Sequence, residues 1–210
     1  NLIGVATADL KNEFNIILLE SITDVLERRG YDVIVYDQQE KQERSLQAID
    51  IFQGLPLNGI ILTPVMDMTA LGFQYIGLLE KMKIPIVLVD RDIKYSHFNG
   101  VFLDNVQGAV SAVTTLIKEG HTKIATISGT ETSLTGRDRL TGYKKAMLIE
   151  GLDVKETYIR SGEFTVSGGY NAAMDFFRMD DPPTAIFVAN SVMMKGVVSA
   201  IWEKGIRVPE

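Results

Sequence analysis

Short apolar runs alternate along this chain with longer stretches in which apolar residues recur at helical spacing. Residues 2–6 (LIGVA), 32–36 (DVIVY), 58–62 (NGIIL) and 86–90 (IVLVD) have strand length and strand composition. Between them, residues 14–29 read as an amphipathic helix stopped by Gly30, residues 40–52 as a second helix, and residues 70–82 as a third. The charged EKQER that opens the second helix reads as a solvated face. Strand and helix in strict alternation predict a parallel α/β sheet.

The second half repeats the pattern. Residues 101–103 (VFL) form a strand, and Asp104 and Asn105 supply the cap of a helix whose apolar positions are Val106, Ala109, Val110, Val113, Leu116 and Ile117, with Gly120 as its stop. The strand KIATIS leads through Gly129 and a polar loop to a helix from about Leu140. Residues 157–160 make a weak strand and 167–178 a helix. After Pro182-Pro183 come the strand TAIFVA and a last helix, 192–204, stopped by Gly205. In a parallel sheet, the loops at the carboxyl ends of the strands hold ligands. The division falls near residue 102, giving lobes of 1–102 and 103–210.

With 210 residues, 46% hydrophobic and 23% charged, the chain has the composition of an ordinary globular protein with a sizeable core. The net charge of -6, without a lysine/arginine block, supplies no electrostatic footprint for DNA. No cysteine is present, which removes disulfides, thiol catalysis and cysteine-based zinc sites. No G-x-S-x-G elbow, Walker loop or H-E-x-x-H occurs, and the histidines, His97 and His121, stand far apart. Gly168-Gly169 opens a helix without dinucleotide spacing, and Asp180-Asp181 reads as a loop. The sequence therefore calls for no enzyme, no cofactor and no metal.

Three motifs stand in order: D-N-x-x-G-A at 104–109, G-H-x-x-I-A at 120–125 and R-x-x-G-Y at 139–143. Flanking them are IGV at 3–5, a degenerate N-P-F-F at 12–15, GIILTP at 59–64, IPIVLVDR at 84–91 and PPTAIFVAN at 182–190. Together they resemble the effector-binding domain of LacI/GalR-type bacterial transcription regulators, over nearly the whole chain. The resemblance implies two Rossmann-like lobes of the type I periplasmic-binding-protein architecture, with a small-molecule effector held between them. It also implies a homodimer in the cytoplasm, and operator DNA bound through an N-terminal helix-turn-helix that this sequence does not contain. The family continues past VPE with a further strand, so the C-terminal lobe is expected to be incomplete.

Arg139 matches the family's ligand-binding arginine, and its planar fork of donors suits carboxylates, phosphates and vicinal hydroxyls. A cation at a helix start is electrostatically misplaced, which also argues for a role. Ser133 and Thr135 offer hydroxyls in the same loop and read equally as turn formers. Phe14 matches the first aromatic of N-P-F-F, as a ligand platform or as a helix-start core residue. Asn15 replaces the second aromatic, predicting a more polar mouth. Asp90 stands at a strand's carboxyl end, where a carboxylate accepts hydroxyls or caps a turn. Phe164 matches a family position flanking the ligand. At Asn190-Ser191 the family commonly has Asn-Asp; Ser191 replaces an anionic acceptor with a neutral hydroxyl, which favours an anionic ligand such as a sugar phosphate.

The reading is an effector-sensing domain for a sugar or sugar derivative. A periplasmic solute-binding protein for sugar uptake is the alternative, and a regulator answering to a protein partner is a third.

Overall fold

The apolar run at the start of the chain becomes β1 (Leu2–Thr7), the strand around which the first sheet is laid out. The computed structural model describes residues 1–65, 70–131 and 133–209. Two units divide it, Asn1–Leu103 and Asp104–Glu210.

In unit 1, β1 is followed by α1 (Glu13–Glu27), β2 (Asp32–Asp37), α2 (Gln42–Gln53), β3 (Gly59–Leu62), α3 (Ala70–Lys81), β4 (Ile86–Asp90) and β5 (Asn99–Phe102). The strands are parallel in the order β2-β1-β3-β4-β5, with Ile3 opposite Val33 on one side and Gly59 on the other. Chain direction across the sheet reverses between β1 and β3, so the loop after β1 leaves from the switch point. Ile60, Leu62, Ile86 and Leu88 supply the sheet's share of a core closed by Ala48, Ile49 and Phe52 of α2 and Tyr75 and Leu79 of α3. The Tyr75 hydroxyl is buried there without a hydrogen-bond partner among the described residues, and burial pushes its pKa well above the ordinary tyrosine value.

Unit 2 runs α4 (Asn105–Lys118), β6 (Ile124–Ser128), α5 (Leu134–Ile149), a single 3₁₀ turn (Glu156–Tyr158), β7 (Ile159–Ser161), α6 (Val166–Phe177), β8 (Ala185–Val188) and α7 (Ser191–Lys204). Its parallel sheet has the order β7-β6-β8, reversing between β6 and β8. The two faces of β6 alternate, as a strand's must. Ile124 packs with Val113 of α4 and Tyr143, Ala146 and Met147 of α5, whereas Ala125 and Ile127 pack with α6 and α7. The Tyr143 hydroxyl donates to the Ile124 carbonyl at 2.7 Å, pinning α5 to the strand. Glycines set the closest approaches between helices. A Cβ on Gly142 would lie 2.4 Å from the Val106 carbonyl oxygen, and one on Gly196 only 1.9 Å from that of Val166.

Most boundaries agree with the sequence expectation to within about two residues, and three differences stand out. The fifth strand is Asn99–Phe102 rather than 101–103, and all its residues are exposed. The expected strand at 157–160 begins as the 3₁₀ turn, so β7 is shorter and shifted to Ile159–Ser161. The third difference bears on function: α5 starts at Leu134, not at about Leu140. Its first turns, LTGRDR, carry no apolar periodicity. They are helical because the Ser133 side chain caps the Gly136 N–H at 3.3 Å and because Thr135 and Gly136 are buried.

Candidate functional site

At the carboxyl edge of unit 1, the loop after β1 is built by its own side chains. Asn12 caps α1, accepting from the Phe14 N–H at 3.1 Å. Phe14 is 41% exposed, so the alternative of a core residue at the helix start is set aside. Asn15 corrects the expectation of a polar mouth. It is only 2% exposed, and its amide donates to the Asp9 carbonyl at 2.8 Å, inward to the loop rather than outward to a ligand. This hydrogen bond ties the start of α1 to Asp9 in the β1–α1 loop.

Gln38, fully buried, ties three chain segments together. Its Nε2 donates to the Thr7 carbonyl at 3.1 Å and the Thr63 carbonyl at 2.9 Å, while its Oε1 accepts from Ser45 Oγ at 2.6 Å. Every polar atom of a buried amide must find such partners or cost the fold its desolvation. Asp90, at the end of β4, is in the left-handed region at φ 68 with its side chain 8% exposed. Non-glycine residues bear strain there, and such strain gathers at functional edges.

Two charged residues at this edge were not among the residues picked from sequence. Arg91 grips Glu40 with both terminal nitrogens, Nη1 to Oε2 at 2.8 Å and Nη2 to Oε1 at 2.5 Å, and Nη1 also lies 3.4 Å from the Pro64 carbonyl oxygen. Burial works against the Arg91 charge, but the Glu40 carboxylate, with Asp90 beside it, outweighs burial and holds its pKa above the ordinary value. Arg91 Nε is buried with no hydrogen-bond partner among the described residues, and stands 3.7 Å from Asp90 Oδ2. The signal available in sequence was the charged pair Asp90-Arg91 closing an apolar strand. The EKQER segment is correspondingly not a plain solvated face: Glu40 precedes the helix and holds Arg91, while Arg44 donates to the Asp37 carbonyl and lies over the Tyr36 ring at 5.0 Å.

Unit 2 brings the ends of β6 and β8 to the starts of α5 and α7. Ser133 is the α5 cap, and Thr135, 5% exposed, has its Oγ1 3.0 Å from Ser133 Oγ, so these two hydroxyls partner each other. Arg139 lies in the second turn of α5, half-buried. It donates through Nε to Asn105 Oδ1 at 2.9 Å and through Nη1 to the Ala189 carbonyl at 2.6 Å. The guanidinium thereby links α4, α5 and the segment entering α7. Asn105, as the holder of Arg139, is a further residue that sequence reading valued only as a cap.

Asn190 caps α7, its Oδ1 accepting from the Met193 N–H at 2.9 Å, and Ser191 is the exposed first residue of that helix. Phe164 adopts a left-handed backbone at φ 57, and its ring lies over Gly129. A Cβ on Gly129 would fall 1.9 Å from the Phe164 ring, so glycine is what lets the ring lie there. Burial raises the pKa of the Asp138 carboxyl, as does the nearby Asp104 charge, against the lowering effect of Arg137 and Arg139. The edge of unit 2 thus includes capped helix starts, the Arg139 guanidinium and the Phe164 ring. Helix starts and guanidinium both favour a negatively charged or hydroxyl-rich ligand.

Over residues 1–210 the chain matches the family described as periplasmic binding proteins and sugar binding domain of LacI family. It is 31% identical over 208 residues to catabolite control protein A of Priestia megaterium, covering 99% of this chain and 61% of that protein. It is 29% identical over 209 residues to the HTH-type transcriptional repressor PurR of Vibrio cholerae, again covering 99% of this chain and 61% of the relative. Among solved structures, a sugar-binding transcriptional regulator of the LacI family from Escherichia coli, complexed with phosphate, superposes with a TM-score of 0.81 at 25% identity, covering 100% of this chain and 75% of that one. The chain therefore spans about three-fifths of the length of these curated relatives.

Proposed function

This chain belongs to the family of periplasmic binding proteins and LacI-type sugar-binding domains, and we propose that it is the effector-sensing portion of a transcription regulator. Its effector is a sugar or sugar derivative. The observation that supports this reading is Arg139, a cation fixed by Asn105 and the Ala189 carbonyl at the carboxyl edge of the unit 2 sheet. The repressor names of the relatives favour a regulator over an uptake protein. Operator binding belongs to a segment outside this chain. Sensing requires that effector affinity differ between two states of the regulator, by about 1–3 kcal/mol in typical systems.

The effector is a phosphorylated sugar in this reading. Ser191 leaves the start of α7 without the carboxylate that the family commonly carries there, and the helix dipole and Arg139 both favour an anion. Phosphate in the related Escherichia coli structure is consistent with that preference. Calorimetry of neutral sugars paired with their phosphates, ribose with ribose 5-phosphate and glucose with glucose 6-phosphate, is the test. The phosphate of the preferred pair should bind at least about tenfold more tightly, a difference of about 1.4 kcal/mol. Tighter binding of the neutral sugars would sink the anion preference.

The active species is a homodimer in this proposal. Met194, Val198 and Trp202 are spaced four apart on α7 and are 41%, 52% and 87% exposed, an apolar stripe along one helix face. Trp202→Glu should shift the sedimentation of the protein from dimer to monomer at micromolar concentration while leaving its circular dichroism unchanged. A variant that sediments as the wild type does would remove α7 from the interface.

A further inference from the structure

Two loops of this chain follow the same backbone course. β2 ends at Asp37 and β7 at Ser161, and each is followed by one residue, then by two left-handed residues, then by the cap of the next helix. The left-handed pairs are Gln39–Glu40 at φ 55 and 53, and Glu163–Phe164 at φ 50 and 57. Both strands hold the same place, one step from the strand that opens the sheet: β2 beside β1, β7 beside β6. Left-handed backbone is costly for residues with a Cβ, so two such pairs at one topological position mark a loop shaped by where it sends its side chains. In unit 2 the second residue, Phe164, sends its ring over Gly129 at the end of β6. In unit 1 the second residue is Glu40, and its carboxylate reaches the end of β4, where it takes both terminal nitrogens of Arg91.

We infer that Glu40 is a specificity-determining residue of the unit 1 edge: by occupying the Arg91 fork it excludes anions there. A guanidinium fork fits a phosphate or a carboxylate with the same two parallel bonds, so whichever anion sits there first excludes the next. Here the internal carboxylate is in place at 2.8 and 2.5 Å, and the Arg91 side chain is only 17% exposed, leaving little of it for a second anion. An incoming phosphate would also meet the Asp90 carboxylate, whose Oδ2 lies 3.7 Å from Arg91 Nε. The role in sensing rests on the proposed effector reading. The masking of Arg91 stands on the geometry alone.

Glu40→Gly frees the fork while keeping the backbone, since glycine adopts a φ near 53 without strain. Inorganic phosphate is titrated by calorimetry and by thermal shift into wild type, Glu40→Gly and the double variant Glu40→Gly/Arg91→Met. Any phosphate binding in unit 2 is common to all three and cancels. The expected result is a phosphate affinity in Glu40→Gly at least about tenfold above that of wild type, abolished in the double variant. Equal phosphate binding in all three proteins overturns the inference, and so does a gain that survives loss of Arg91. Glu40→Gln, which keeps a neutral acceptor of the same shape, should fall between, and carries the test if the glycine variant does not fold. Because the probe is phosphate, a sugar panel that fails to bind would defeat the effector reading without touching this result.

Discussion

Gly196→Ala should destabilise unit 2 by about 3–5 kcal/mol, at the upper end of what single substitutions do. For a unit of this size that lowers its thermal midpoint by more than about 10 °C. The added methyl would lie 1.9 Å from the Val166 carbonyl oxygen and 2.6 Å from the Tyr170 N, both backbone atoms of α6. No rotamer change relieves a clash with backbone, so α6 and α7 must separate. The helices cannot do so cheaply, because Ala172, Ala173, Met193, Val197 and Ala200 are packed between them and the sheet. The sign of the effect is informative. At an open position in a helix, glycine to alanine stabilises by up to about 1 kcal/mol through backbone entropy. Gly108 in α4 is such a position, with nothing within 4 Å of where its Cβ would be, so Gly108→Ala should raise the midpoint slightly. Scanning calorimetry of the two variants makes the comparison within one protein. A Gly196→Ala protein as stable as wild type would mean that the helices are not in the contact described.

The same contrast explains what could be read in the sequence. β1, β3 and β4 are continuous apolar runs, as strands of a parallel sheet commonly are, and such runs are visible without any structure. The helices between them declare themselves by period and by terminal glycines such as Gly30, at φ 77 in the left-handed position that closes α1. The start of α5 does not, because LTGRDR is helical by virtue of a cap and tertiary burial rather than an apolar stripe. Glycine has no side chain to report on its neighbours, so nothing in the sequence marks Gly142, Gly169 and Gly196 as points of close helix approach. The candidate site divides in the same way. Arg139 was legible through a motif; its partners were not, since Asn105 and Ala189 lie 34 and 50 residues away along the chain. Glu40 was misread because its charge-rich neighbourhood resembles a solvated helix face, and only the left-handed turn at Gln39–Glu40 aims it at Arg91.

Removing the Arg139 guanidinium should cost more affinity than any other single change at the unit 2 edge. A hydrogen bond to a charged group contributes about 1.5–3 kcal/mol, and a guanidinium presents two to a phosphate. Arg139→Ala should therefore weaken binding of the preferred sugar phosphate by about 100-fold or more, at about 1.4 kcal/mol per factor of ten. The substitution also deprives Asn105 Oδ1 and the Ala189 carbonyl of a donor, which costs stability as well as affinity. Arg139→Lys separates the two effects. Lysine retains the charge, but its single nitrogen cannot serve acceptors on two segments while presenting a fork to a ligand. The lysine variant should recover part of the affinity for the phosphate, whose charge it still attracts, and little of the thermal stability. If Arg139 were a purely structural strut, affinity and midpoint would fall and recover together. Calorimetric titrations at a temperature well below every midpoint, alongside melting curves for both variants, distinguish the two cases. Sugar-phosphate binding within threefold of wild type in Arg139→Ala would exclude this guanidinium from the site.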